Sequence, residues 1–290
     1  MNPKPRKIVF GCGYVGHRVA QLWKSVGAQV CVVTRSTERA KSFEADGFET
    51  WIGDVTDPKT LVGLLEAETV LFSVGYDRKQ PQSIVEVYRD GVINTLNALQ
   101  PSTKRIIYVS STGVYGDAAG EWVDEQTPAA PNREGGRASL SAEQTLFAHA
   151  LGSRGIVLRL AGIYGPGRVP NRNDLLAGRP IESNPDGWLN LIHVDDAARV
   201  ILTAEKLASP PIIYNVADGN PAPRRAYYEE LARLIDAPQP KFNSPGETTS
   251  ERVRGTADKR VSNARMLADL QVQLQYPSFR EGLAAIVHRS

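Results

Sequence analysis

The feature that most constrains the fold is an alternation through the first half of the chain. Short Val/Ile-rich runs occur at residues 7–10, 29–34, 50–52, 69–73 and 105–110, separated by helical patterns at 37–45, 57–65 and 84–99. The first helix is read from Val15, Val19, Leu22, Trp23 and Val26, which recur at helical spacing up to a stop at Gly27. The strand runs are apolar on both faces, as a parallel sheet covered by helices requires. A doubly wound α/β fold is therefore expected. The polar stretch 116–136 interrupts the pattern, which resumes with a helix at about 140–151 and a strand at 156–160. Beyond that, Pro166, Pro170, Pro180 and Pro185 break the rhythm, as does the stretch 238–255.

Composition removes several function classes. In 290 residues, 34 Lys and Arg against 32 Asp and Glu leave a net charge of +2, with no basic cluster to bind nucleic acid. The two cysteines, Cys12 and Cys31, have no metal-ligand spacing and suit a reducing compartment, and the four histidines are scattered. An apolar run begins at Ile8, which leaves no room for a signal peptide, and no run approaches the roughly 20 residues of a membrane span. A cytoplasmic chain that avoids membranes and nucleic acid, binds no metal and acts on a small molecule is expected; assembly as a homodimer is left open.

The first strand run ends in Gly11-Cys12-Gly13-Tyr14-Val15-Gly16. In a G-x-G-x-x-G turn between strand and helix, Gly11 permits the tight turn, Gly13 lets backbone approach a pyrophosphate, and Gly16 lets the helix pack on the strand. Dinucleotide binding is the expected function of this turn. The second strand run ends in Thr34-Arg35-Ser36, where an NAD protein usually carries Asp or Glu for the ribose 2′-hydroxyl. A guanidinium and a hydroxyl suit a 2′-phosphate, so NADP is preferred over NAD; the competing reading is a solvated Arg35 at a strand end. In Gly53-Asp54-Val55, Asp54 is placed to accept from the adenine amino group, or simply to shape a turn.

Further along, Ser110-Ser111-Thr112-Gly113-Val114-Tyr115-Gly116, then Arg159-Leu160-Ala161-Gly162-Ile163-Tyr164-Gly165-Pro166-Gly167, then Leu191-Ile192-His193-Val194-Asp195-Asp196-Ala197-Ala198 and Tyr214-Asn215-Val216-Ala217-Asp218-Gly219 occur in order. With the glycine turn, these resemble the successive signatures of the extended short-chain dehydrogenase/reductases, the NAD-dependent epimerase/dehydratase family. The resemblance implies a Rossmann domain of 1–164 plus 189–217 and a smaller substrate lobe of 165–188 plus 218–290. It implies pyrophosphate binding by the glycine turn, adenine contact at Asp54 and Val55, and a nicotinamide wall at Val74 and Gly75. It matches Ser111 to the family's catalytic Ser/Thr, beside Thr112 on the substrate side. Independently of the family, a hydroxyl at the carboxyl end of a central strand points into the ligand crevice.

Two departures stand out. The family's Tyr-x-x-x-Lys pair falls on Gly135 and Ser139, and no such pair occurs elsewhere; the glycine loop is also one residue shorter than the usual G-x-x-G-x-x-G. The chain thus resembles an atypical branch, in which an oxidoreductase or epimerase/dehydratase acting on a carbonyl or sugar nucleotide competes with a non-catalytic NADP(H) sensor. Tyr115 has the side chain to replace the missing acid, but the position also suits packing. Tyr164 is expected to close a substrate pocket or pack the sheet edge. Arg252, Arg254 and Arg260 fall where the family's smaller lobe often holds a nucleotide-sugar diphosphate, and Trp122 and Trp188 suit stacking on a ring or rim packing equally. Asp195 and Asp196 suit the start of a helix.

Overall fold

A computed structural model of the chain describes residues 6–243 and 257–287. The alternation becomes β1 (Arg6–Phe10), α1 (Gly16–Ser25), β2 (Gln29–Thr34), α2 (Thr37–Ala45), β3 (Glu49–Ile52), β4 (Thr69–Phe72), α3 (Gly91–Ala98), β5 (Arg105–Ser111) and α4 (Glu134–Ala148). One sheet of seven strands runs in the order Ile212–Val216, Gly155–Leu160, β5, β4, β1, β2, β3. β1 pairs in parallel with β2 and β4, placing Ile8 beside Cys31 and Val70, and β2–β3 and β4–β5 are parallel as well. Because β2 leads away from β1 on one side and β4 on the other, strand order reverses at β1. That switch point opens a crevice beyond the carboxyl ends of the strands.

The chain divides into two compact units. The first comprises Met1–Val114, Arg133–Arg159 and Ala198–Tyr214. Its core joins Ile8, Phe10, Val70, Phe72, Leu96, Ile106, Tyr108, Ala142, Leu146 and Val157. At its strand starts, Glu205 accepts from Trp23 Nε1 at 2.7 Å and Thr69 Oγ1 at 2.6 Å and pairs with Lys7. The second unit comprises Tyr115–Asn132, Leu160–Ala197 and Asn215–Ser290 and is built on Tyr164, Leu191, Tyr227, Leu231, Phe279 and Leu283. Segments 115–132, 160–164, 189–197 and 215–217 therefore group with the second unit, where the expected boundary kept them in the first. The reason lies in pairing: Trp122–Val123 runs beside Arg260–Val261, and Gly162–Tyr164 beside Leu191–His193.

Three elements differ from expectation. The helix expected at 57–65 is a single 3₁₀ turn, Pro58–Leu61, after which Val62 turns extended and Gly63 takes φ +79°. The helix expected at 84–99 begins as a π-helical turn, Glu86–Asp90, before α3, whose first residue Gly91 packs so closely that a Cβ would meet Val55 Cγ2 at 2.9 Å. The helix expected at 140–151 is α4, which starts six residues earlier and carries Gly135 and Ser139 in its first turns.

Candidate functional site

A cleft of about 700 Å³ lies over the carboxyl ends of β1 to β4, wholly within the first unit. Its floor is the turn after β1. Gly11 sits at φ +82°, and a Cβ there would meet the Ser73 backbone at 2.5 Å; a Cβ on Gly16 would meet the Gly11 carbonyl at 2.4 Å. These two glycines let the turn press against the end of β4, where Ser73 Oγ donates to the Gly11 carbonyl at 2.9 Å. Gly13 is different: a Cβ there would meet nothing within 4 Å, although Gly13 lines the cleft. Nothing in the protein itself would obstruct a side chain there, so the bare backbone of Gly13 leaves open floor in the cleft that a ligand can approach. Just beyond, α1 begins without a side-chain cap and without an acid in its first turn, and such a helix start favours an anion. Tyr14 stacks under the Arg18 guanidinium, which donates to the Tyr14 carbonyl at 2.8 Å, and Val15 is buried as α1 begins. The turn thus fits a dinucleotide pyrophosphate on the evidence of its own sterics.

Thr34, Arg35, Ser36, Asp54, Val55, Val74 and Gly75 all line the same cleft, together with Cys12. Thr34 Oγ1 accepts from the Ser36 amide at 3.3 Å, and Ser36 Oγ caps α2 by accepting from the Arg39 amide at 3.1 Å. Asp54 holds a turn with one oxygen, accepting from the amide and hydroxyl of Thr56 at 2.8 and 2.7 Å. Its other oxygen lies 3.7 Å from Arg35 Nη1. Burial pushes the Cys12 thiol up to about 12, with Arg39 only partly offsetting it, so Cys12 is a small apolar lining group and no nucleophile.

Ser111 is exposed at the end of β5, its Oγ accepting from the Gly113 amide at 3.1 Å. Thr112 is buried. One residue earlier on the strand, Ser110 Oγ donates to Glu143 Oε1 at 2.5 Å, and Glu143 also takes the Arg159 fork at 2.7–3.2 Å, all three side chains being buried. On α4, Ser139 is buried and hydrogen-bonded to the Tyr108 hydroxyl, while a Cβ on Gly135 would meet only Ile84 Cδ1, at 3.7 Å. This helix face therefore offers no phenol or ammonium at the dyad positions.

Within the second unit, Tyr115 is 2% exposed and its hydroxyl donates to Asn215 Oδ1 at 2.8 Å, an arrangement that packs the ring instead of presenting an acid. Tyr164 is likewise buried, donating to the Ser278 carbonyl at 3.3 Å, an arrangement that packs the ring within this unit; a Cβ on Gly282 would strike that ring. Arg260 donates through Nε to the Gly120 carbonyl at 2.7 Å and lies between Trp122 and Trp188, 5.3 Å from each ring centre. Both tryptophans thus grip an arginine of the same unit. Arg252 and Arg254 lie outside the described residues. Asp196 accepts from the amides of Gln275 and Tyr276 at 2.8 and 2.9 Å, which ties down that chain segment.

Sequence reasoning misses Arg39, Phe43 and Ser73, which also line the cleft. Arg39 had a usable signal, since it follows Arg35 by four residues across a helix start. Among the described residues, no three His, Cys, Asp or Glu side chains group to hold a metal ion, and no helix is long and apolar enough to cross a membrane.

Strand order and glycine cleft together define a Rossmann dinucleotide-binding protein. Residues 8–217 match the NAD dependent epimerase/dehydratase family, and the chain belongs to that family, whose typical cofactor is NAD(P). It is 29% identical over 279 residues to Protein YeeZ of Escherichia coli K12, covering 93% of this chain and 95% of that protein. It is 26% identical to 2'-dehydrokanamycin reductase of Streptomyces kanamyceticus, covering 84% of this chain and 70% of the relative. A solved structure of a putative NAD-dependent epimerase/dehydratase from Methylobacillus flagellatus superposes with a TM-score of 0.78 at 29% identity, covering 99% of both chains.

Proposed function

We propose that the chain binds NADP(H) in the cleft of its first unit and acts as an oxidoreductase or epimerase/dehydratase on a carbonyl or sugar-nucleotide-like small molecule. The observation that carries this reading is Gly13, a cleft-lining glycine whose Cβ would enter open space. The absence of an acid at the end of β2, with Arg35 there instead, favours the phosphorylated cofactor. A bound nicotinamide would supply or accept the hydride. Ser111, exposed at the end of β5, orients the reacting oxygen by hydrogen bonding. The name of the Streptomyces relative, a reductase of a dehydro sugar antibiotic, supports carbonyl chemistry.

A second reading, an NADP(H) sensor without turnover, is favoured by one observation: Gly135 and Ser139 stand on α4 where a proton-donating pair would stand. Binding of NADPH and NADH by calorimetry, followed by a turnover screen with carbonyls, alcohols and nucleotide sugars, separates the two. The enzyme reading expects turnover that Ser111→Ala lowers by about 10²-fold or more. Tight NADPH binding with no turnover on any substrate supports the sensor, and no binding of either cofactor refutes both.

A further inference from the structure

We infer that Arg39, five residues beyond the end of β2, is the side chain that selects a 2′-phosphate on the adenosine ribose, while Arg35 shares its charge with an acid of the cleft. This rests on the NADP(H) reading and names the residue on which that preference depends. The charged side chains lining the cleft are Arg35, Arg39, Asp54 and Asp77. Arg35 has Asp54 at 3.7 Å. Asp77 lines the same cleft, its carboxyl held below its usual range chiefly by the Lys79 amide, with Arg35 the smallest of the contributions. An incoming phosphate of nearly two negative charges would have to compete with those carboxylates for Arg35.

Arg39 has no such competitor, for no carboxylate of the described residues lies within ion-pair distance of it. Its guanidinium is already placed: Nη2 donates to the Cys12 carbonyl at 2.9 Å, and the group lies over the Phe43 ring, 5.2 Å from its centre. The bond to Cys12 sets the cation beside the glycine turn, next to the strand end where the ribose belongs. One of five N–H donors is spent there, leaving the others for a phosphate. An arginine held by a carbonyl and a ring starts with part of its rotamer freedom restricted, so less entropy is lost on binding than from a fully free side chain.

The test uses 2′,5′-ADP and 5′-AMP as probes, alongside NADPH and NADH, on the full chain. Arg39→Ala should weaken 2′,5′-ADP and NADPH by about 10- to 150-fold and leave 5′-AMP and NADH within about threefold. Arg35→Ala should cost NADPH less than Arg39→Ala does. Arg39→Gln, which keeps a donor for the Cys12 carbonyl, should show the same selective loss if the charge is what matters; circular dichroism checks that each variant is folded. Equal losses for 5′-AMP and 2′,5′-ADP would mean that Arg39 holds the adenosine and not the phosphate, overturning the inference. A parent protein that binds NADH as tightly as NADPH would instead overturn the NADP(H) reading on which it rests. Strong NADPH preference untouched by Arg39→Ala would leave that reading standing and refute only the role of Arg39.

Discussion

Asp218→Asn should stabilise the protein above neutral pH and do progressively less as pH falls. Asp218 is 5% exposed; one carboxyl oxygen accepts from the Asn220 amide at 2.9 Å, and the other is buried with no hydrogen-bond partner among the described residues. Burial, with Glu281 and Asp196 nearby, pushes this carboxyl from 3.8 up to about 7, against the opposing pull of the Asn220 amide. The folded protein therefore holds the proton roughly a thousandfold more tightly than the unfolded chain. At about 1.4 kcal/mol per factor of ten, the raised pKa of Asp218 lowers folding stability by about 4 kcal/mol at pH 8 and about 2 kcal/mol at pH 5. The sign follows from proton counting: between pH 4 and 7 the folded state binds more protons than the unfolded state, so stability falls as pH rises through that window and levels off above 7. Asparagine keeps the acceptor for Asn220 and cannot ionise. The variant should gain about 2–3 kcal/mol more over the parent at pH 8 than at pH 5. Urea denaturation of both proteins at pH 5, 6, 7 and 8 measures the difference, and subtracting parent from variant cancels the other titrating groups. A gain that is the same at every pH, or larger at pH 5, would refute the reasoning.

Gly13→Val should abolish NADPH binding yet shift the denaturation midpoint little, because the new side chain enters the open cleft; a folded variant that still binds would remove the glycine turn from the site. Glu205→Ala leaves the buried Lys7 with the Thr69 hydroxyl at 3.1 Å and the more exposed Glu68 carboxylate 3.6 Å away, and should cost about 3 kcal/mol in urea denaturation, the low end for breaking a buried pair; an unchanged midpoint would show that these partners suffice. Gly282→Ala drives a methyl into the buried Tyr164 ring and should cost about 1–3 kcal/mol; a neutral result would show that the helix Phe279–Val287 moves aside freely.

Features that depend on local backbone geometry were legible in the sequence. The strand 29–34 and helix 37–45 were expected with the bounds that β2 and α2 take, and the turn 11–16 was read correctly as strand, turn and helix. Each depends on period, capping and the φ freedom of glycine, which neighbouring residues determine. The π-helical start before α3 left no mark in the local apolar spacing, and the close approach of Gly91 to Val55 joins residues far apart in sequence. Side-chain commitments were illegible for the same reason. Nothing local to Tyr115 says that its hydroxyl meets Asn215, a hundred residues later, and nothing near Trp122 says that Arg260 will lie against its ring. Arg35 and Arg39 look alike in the sequence; only the folded cleft sets one beside an acid from the end of β3 and the other against a carbonyl of the glycine turn. Backbone conformation is set largely by adjacent residues, whereas the partner a polar side chain finds depends on which distant segment the sheet order brings beside it.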